Sequence, residues 1–312
     1  MDDTRMELTD IEEQFGAILK PLRECPDEAL YHYTSAEGLC GILSDNTIWA
    51  SDVFFMNDST EFEYGRRLIL SELSRRIDDK NPYSWNAERK LVRLPSTNPS
   101  FFEEVETAYL EHPHNEKFYV LSLCENGNLL SQWRAYGENG AGYSVGIATK
   151  TIRSDTKTIR GDAVNLQKVI YEAAEQQQYI QSILNKAEEL REKADKLDVI
   201  RVLSSTLVKL TVSLKDIAFQ EENEWRIIYI RREPDENDDL RFRVSRTGII
   251  PYLKLSPSRI FNDGFDKLPI TSVGYGPSLH PDLTRNVLGR MKAKYGYEGI
   301  EIIGSSIPLR RG

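Results

Sequence analysis

The sequence predicts an α+β fold, and three observations predict it. Strand-length apolar runs recur at uneven spacing, at Leu30 to Thr34, Phe118 to Cys124, Trp225 to Ile230 and Ile270 to Gly276. Helical patterns are inserted between them without regular βαβ alternation. No internal repeat divides the chain. At 312 residues and 40% hydrophobic content, one large domain with a sizeable core is expected over 1–312. Within it, 1–27 reads as an N-terminal helix, and 78–116 and 172–218 read as helical or loop insertions.

Leu8, Ile11, Phe15, Ile18 and Leu19 fall at helical spacing, and Pro21 closes that helix. Leu30 to Thr34 is a strand with His32 between two tyrosines. A helix follows at once with Thr34 or Ser35 as its N-cap, and a second short strand ends at Ser51. Asn57 or Asp58 reads as the cap of a helix from about Thr60 to Ile77, with Glu61 in the capping-box position. Residues 80–115 form a polar excursion holding a short helix near Phe101 to Leu110. Asn128 to Gly137 is a helical turn, and Tyr143 to Ala148 a strand.

Residues 150–170 predict a hairpin, and Glu172 to Ala218 is helical, its Gln176-Gln177-Gln178 stretch read as part of a solvated face. Strands resume with Trp225 to Ile230, Arg241 to Ser245 and Ile249 to Leu253, with Pro234 to Asp239 as a hairpin turn. A strand, a helix from Pro281 to Tyr295 and a last strand at Gly299 to Ile303 complete the chain.

The balance of 40 basic against 49 acidic residues gives a net charge of -9, without the electrostatic footprint of a general nucleic-acid binder. Three cysteines, Cys25, Cys40 and Cys124, show no CxxC spacing, which argues for a reducing compartment. The acidic N-terminus is not a secretory signal, and the longest apolar runs are strand-sized. The expectation is a soluble, cytoplasmic protein without a membrane partner. His112-Pro113-His114, read as a loop, has no neighbouring cysteine and no HExxH pattern, so no metal is expected.

Four islands combine polar and aromatic residues at element ends. They are His32 with Tyr33 and Thr34; Asn57-Asp58 with Glu61; Trp133-Arg134-Ala135-Tyr136-Gly137; and Glu222-Asn223-Glu224-Trp225-Arg226. Strand period puts Glu222, Glu224 and Arg226 on one face and turns Trp225 and Ile227 to the core. Each island also has a structural reading: a hydrogen-bonded histidine, a helix cap, core aromatics, and an ion pair of Arg134 with Glu222 or Glu224.

Together these islands resemble a bacterial family catalogued as a domain of unknown function, number two-nine-seven-one. Its His-Tyr-Thr strand, Asn-Asp-x-x-Glu helix start, Ser-x-Trp-Arg-x-Tyr-Gly turn and Glu-x-Glu-Trp-Arg strand are matched at Tyr31 to Thr34, Asn57 to Glu61, Ser131 to Gly137 and Glu222 to Arg226. The likeness extends over residues 28–310. A second, weaker resemblance is to the ADP-ribosyltransferase superfamily, through the order of a His on the first strand, an aromatic in the middle and a Glu on a late strand. That resemblance implies a split pair of small β-sheets around a cleft that takes NAD as substrate. It implies ADP-ribosyl transfer to an unknown acceptor (protein, nucleic acid or small molecule) by an intracellular toxin or phage-defence effector. Glu224 would be the catalytic carboxylate and Glu222 its acceptor-facing partner. His32, Tyr33, Thr34, Ser35, Asn57, Arg134 and Tyr136 would bind NAD, with Tyr136 or Tyr143 stacked on nicotinamide and Arg134 on the pyrophosphate. The rival expectations are a non-catalytic binding module and an NAD or nucleotide glycohydrolase using the same cleft.

Overall fold

A computed structural model describes residues 6–26, 28–55, 59–77, 83–85, 91–93, 99–152, 162–231, 239–245, 248–261, 264–277 and 280–308. In chain order the elements are α1 (Leu8–Leu19), β1 (Leu30–Thr34), α2 (Ala36–Asp45), β2 (Ile48–Asp52), α3 (Ser59–Arg76), β3 (Tyr83–Trp85), β4 (Leu91–Arg93), α4 (Phe101–Asn115) and β5 (Lys117–Cys124). Then come α5 (Leu130–Ala135), β6 (Tyr143–Ile147), β7 (Ala163–Lys168), α6 (Ala173–Leu190), α7 (Lys196–Thr211) and β8 (Glu224–Arg231). The chain ends with β9 (Leu240–Ser245), β10 (Gly248–Leu255), α8 (Pro257–Ile260), β11 (Ile270–Tyr275), α9 (Pro281–Tyr295) and β12 (Glu301–Gly304). The architecture is α+β, a large open sheet with several helices. None of the described helices is long and apolar enough to cross a membrane.

Contacts divide the chain into two compact units. One gathers Met1–Pro21, Asp58–Glu116 and Ile170–Ile217; the other gathers Leu22–Asn57, Lys117–Val169 and Ala218–Gly312.

The first unit is helical, with α1, α3, α4 and α6 packed on α7. Val199, Leu203, Leu207 and Leu210 of α7 are fully buried. Its buried Thr206 and Thr211 return their hydroxyls to the carbonyls of Val202 and Leu207, which removes the cost of a polar group in the core. Gln176 departs from the solvated reading. It is 1% exposed because its amide donates to the carbonyls of Ile170 and Lys215, both at 2.8 Å, and accepts from the Tyr64 hydroxyl. One side chain thereby ties the start of α6 to the segment after α7. Glu61 meets the buried Lys215 at 3.0 Å; its expected capping partner, Asp58, lies outside the described residues.

The helix expected near Phe101 to Leu110 runs on to Asn115, so His112 is helical rather than in a loop. Ser100 and Glu103 close a capping box at its start. His112 Nδ1 bonds the Ser204 hydroxyl at 3.1 Å, and His112 Nε2 bonds Glu116 at 2.9 Å. The Ser204 proton goes to the Arg201 carbonyl, so this Ser-His-Glu series joins helices and activates no nucleophile.

The second unit holds the sheet. β8 pairs along its length with both β5 and β7, making a three-stranded trunk. The opposite edge of β5 forks. Its end pairs with β1 at one position, Tyr31↔Cys124, and β1 leads through β6 and β11 to β12. Nearer its start, Val120 and Tyr119 pair with Ser51 and Asp52 of β2, which leads through β10 to β9. The expected pair of separate small sheets is therefore one ten-stranded ladder with two arms. β5 is long enough to carry both arms on one edge, and Leu121, Ser122 and Leu123 lie in the gap between them.

One face of the arms buries the core, with Leu30, Ile48, Ala50, Val145, Val273 and Leu253 in a single cluster. β11, α9 and β12 form a parallel crossover. One expected hairpin is absent among the described residues: β8 pairs with β5 and β7 and not with β9. Much of the expected 150–170 hairpin lies outside the described residues, and β7 at its end pairs with β8. The hairpin is β9–β10, where Gly248 at φ +132° takes a conformation that other residues reach only with strain. Most of Pro234 to Asp239 lies outside the described residues.

Candidate functional site

His32 stands at the fork. Its Nδ1 lies 3.1 Å from the Ser122 carbonyl, in the stretch of β5 that has no strand partner on that edge. A carbonyl only accepts, so Nδ1 carries the proton and Nε2 is left as an acceptor. Burial, and to a smaller degree the Arg243 charge, hold His32 below its ordinary value of 6.5 against the opposing pull of the Ser122 carbonyl. The ring is therefore neutral near pH 7.

A pocket of about 380 Å3, counted out to solvent, opens beside this ring. It is lined by His32, Tyr33, Gln132, Tyr136, Glu222 and Glu224, among others. Residues about 190 positions apart in the chain thus meet at one place, because β1 and β8 both flank β5.

The two glutamates arrive differently. Glu224 opens β8 and is 4% exposed, and Arg226 clasps both its oxygens, with Nε to Oε1 at 2.7 Å and Nη2 to Oε2 at 2.9 Å. Such a two-point pair fixes the carboxylate plane. Glu222 is not on the strand. It ends a 3-10 turn, and Asn223 at φ +41° redirects the chain between them, a conformation asparagine tolerates. The shared strand face expected for Glu222, Glu224 and Arg226 holds only for the last two. Cys124 donates its thiol to the Glu222 carbonyl at 2.9 Å, and burial pushes that thiol up to about 11.

Tyr33 is held from two sides, donating to the Asn126 carbonyl and accepting from the Leu129 amide, both at 2.8 Å. Its ring meets Trp133 edge-on at 4.8 Å. Tyr136 stands at the rim, 37% exposed.

Other expected residues do not line this pocket. Ser35 spends its hydroxyl as the N-cap of α2, accepting from the Gly38 amide at 3.0 Å. Thr34 is pressed against Gly38, where an added Cβ would stand 2.1 Å from its Oγ1. Tyr143 packs against the core cluster. Asn57 lies outside the described residues. Arg134 is exposed on α5 and makes no ion pair among the described residues, so the expected pairing with Glu222 or Glu224 is corrected. Arg226 takes that role, because two positions along a strand return to the same face.

Sequence reasoning also missed Arg243. It is half-buried and meets no carboxylate among the described residues, its Nη2 bonding Ser51 at 3.0 Å while its Nε has no partner. No local pattern marks it, since β9 reaches the fork only through β10 and β2. Among the described residues no group of His, Cys, Asp and Glu is placed to hold a metal.

The family model described as a protein of unknown function (DUF2971) matches residues 132–227 of the chain. That stretch holds the Trp133 to Gly137 turn and the Glu222 to Arg226 run, whereas His32 lies outside it. No curated protein and no solved structure matches the chain.

Proposed function

We propose that the pocket at the fork performs NAD-dependent ADP-ribosyl transfer. The observation that carries this reading is the meeting of His32 with the Glu222–Glu224 pair in one pocket. Neutral His32, with Nε2 as acceptor, suits a ribose hydroxyl. Glu224, held flat by Arg226, suits the positive charge that builds on ribose C1′ as the bond to nicotinamide breaks. Nicotinamide leaves with the bonding electrons, and the acceptor's hydroxyl or amine forms the new bond to C1′. Glu222, at the more exposed end of the pair, is positioned to take the acceptor's proton. Tyr136 at the rim is the aromatic available to cover the leaving ring. Arg243, whose charge acts on His32, rather than Arg134, suits the pyrophosphate.

A second reading has its own observation. Both oxygens of Glu224 are already taken by Arg226, as in a structural ion pair. That favours a module that binds a nucleotide without cleaving it. Nicotinamide release from NAD by the purified chain decides between them. Transfer requires release that falls by about a hundredfold in an E224Q variant still shown to be folded, while E222Q spares release and weakens transfer to the acceptor. Binding of NAD without release supports the module. A folded parent that neither binds nor cleaves NAD sinks both.

A further inference from the structure

A second pocket, of about 470 Å3 counted out to solvent, lies on the other side of Tyr31. Its floor is the face of four neighbouring strands away from the core. Register sets two rows across it: Tyr31, Gly146, Ser272 and Glu301, then Tyr33, Ser144, Gly274 and Ile303. Residues opposite one another in register share a face. The far side of these strands carries Leu30, Val145, Ile147 and Val273 in the core. On this face the two central strands present only glycine and serine, Gly146 and Ser144 on β6 and Ser272 and Gly274 on β11. Glycine inside a strand loses packing and costs entropy, and it marks places where something approaches the backbone closely.

The two glycines make room for hydroxyls. A Cβ at Gly274 would stand 2.3 Å from Ser144 Oγ, and one at Gly146 would stand 2.5 Å from Ser272 Oγ. The hydroxyls then differ. Ser144 donates to the Gly127 carbonyl at 2.9 Å and ties down the loop beside the pocket. Ser272 is 5% exposed, lines the pocket, and its hydroxyl has no hydrogen-bond partner among the described residues. The hydroxyl faces the pocket and is left to bond what enters it. Asn128 adds a second observation. Its Oδ1 accepts from Trp133 Nε1 at 3.0 Å and from Ser305 Oγ at 2.7 Å, which fixes the amide and leaves its NH2 as the group to offer a ligand.

We infer that this pocket binds a neutral nucleoside through its base. No charged side chain is among the lining residues, which disfavours a phosphate or an ammonium group inside it. The pocket, open to solvent on one side, has room for one heterocycle. A base edge carries the acceptors that the Asn128 amide calls for and the mixed groups that Ser272 can answer, and the Tyr31 ring forms one wall. The inference stands whether or not the neighbouring pocket turns over NAD.

The test is calorimetry and thermal shift of the full chain with adenosine, guanosine, cytidine, uridine and free ribose. At least one nucleoside should bind at millimolar concentration or below. Ser272→Ala should weaken it about fivefold or more, the loss of one hydrogen bond, and Ser272→Val, which also fills space, should abolish it. Without ligand, Ser272→Ala should melt with the parent, since no protein bond is lost. The inference is overturned if no nucleoside binds, if Ser272→Ala binds as the parent does, or if ribose alone binds as tightly. A melting temperature several degrees lower in Ser272→Ala would also overturn it, by giving the hydroxyl a structural role.

Discussion

Glu224 and Arg226 are 4% and 2% exposed, so neither charge tolerates the loss of the other. Removing one partner of a buried pair leaves an uncompensated ion, at a cost of roughly 3–5 kcal/mol. Glu224→Gln keeps an acceptor oxygen and is expected at the low end, near 3 kcal/mol. The double variant Glu224→Met/Arg226→Met should recover part of that loss, since the two charges leave together. Urea unfolding of the single and double variants checks this, and a double variant no more stable than Glu224→Gln would count against it. His32 adds a pH dependence with a definite sign. Its folded value lies below 6.5, so under acid the unfolded chain binds the proton and the folded chain does not. Stability contributed at this position is complete above about pH 6.5 and is lost as pH falls below it. His32→Gln should flatten that part of the profile, measured as melting temperature from pH 8 to 5. An unchanged slope would place the proton elsewhere.

Asn46 shows how one position can join elements. It ends α2 at φ +53°, and its side chain donates to the Asp266 carbonyl at 2.7 Å and accepts from the Leu268 amide at 2.9 Å and the Tyr297 hydroxyl at 2.8 Å. Asn46→Gly keeps the backbone conformation and loses all three bonds, an expected cost of about 2 kcal/mol. Asn46→Ala adds the left-handed strain, roughly 1 kcal/mol more. Equal stability of the two variants in chemical unfolding would refute the split between backbone and side-chain contributions. At this scale the local patterns served well where a signal sits in neighbouring residues. Ser35 before an apolar helix, the His32 strand and the Pro281 helix were all legible. The missed pairings are of another kind. The expected hairpin at 234–239 assumed that strands close in sequence pair together, whereas β8 pairs with β5 and with β7, which the helices of 173–211 separate from it in the chain.

In the sheet unit, cooperativity should follow the trunk. Residues 225–230 of β8 are buried and paired on both edges, while among the described residues β9 pairs only with β10 and exposes Phe242 at 65% and Val244 at 88%. Amide exchange is therefore expected to be slowest in β8 and about a hundredfold or more faster along the free edge of β9. Comparable protection in β8 and β9, read by mass spectrometry, would contradict a trunk-centred unit.

The sequence alone determined the α+β class, the strand carrying His32, the run carrying Glu222 and Glu224, and the Ser35 cap that starts α2. Each of these is written in residues within a turn or two of one another, where spacing and side-chain chemistry act directly on the backbone. Only the tertiary structure decided that β5 forks, that His32 fills the gap at Ser122, that Arg226 rather than Arg134 holds Glu224, and that Arg243 stands near His32 while Arg134 points to solvent. These outcomes depend on register between strands far apart in the chain. A shift of one residue turns every side chain to the opposite face, and no local pattern records which register the core selects.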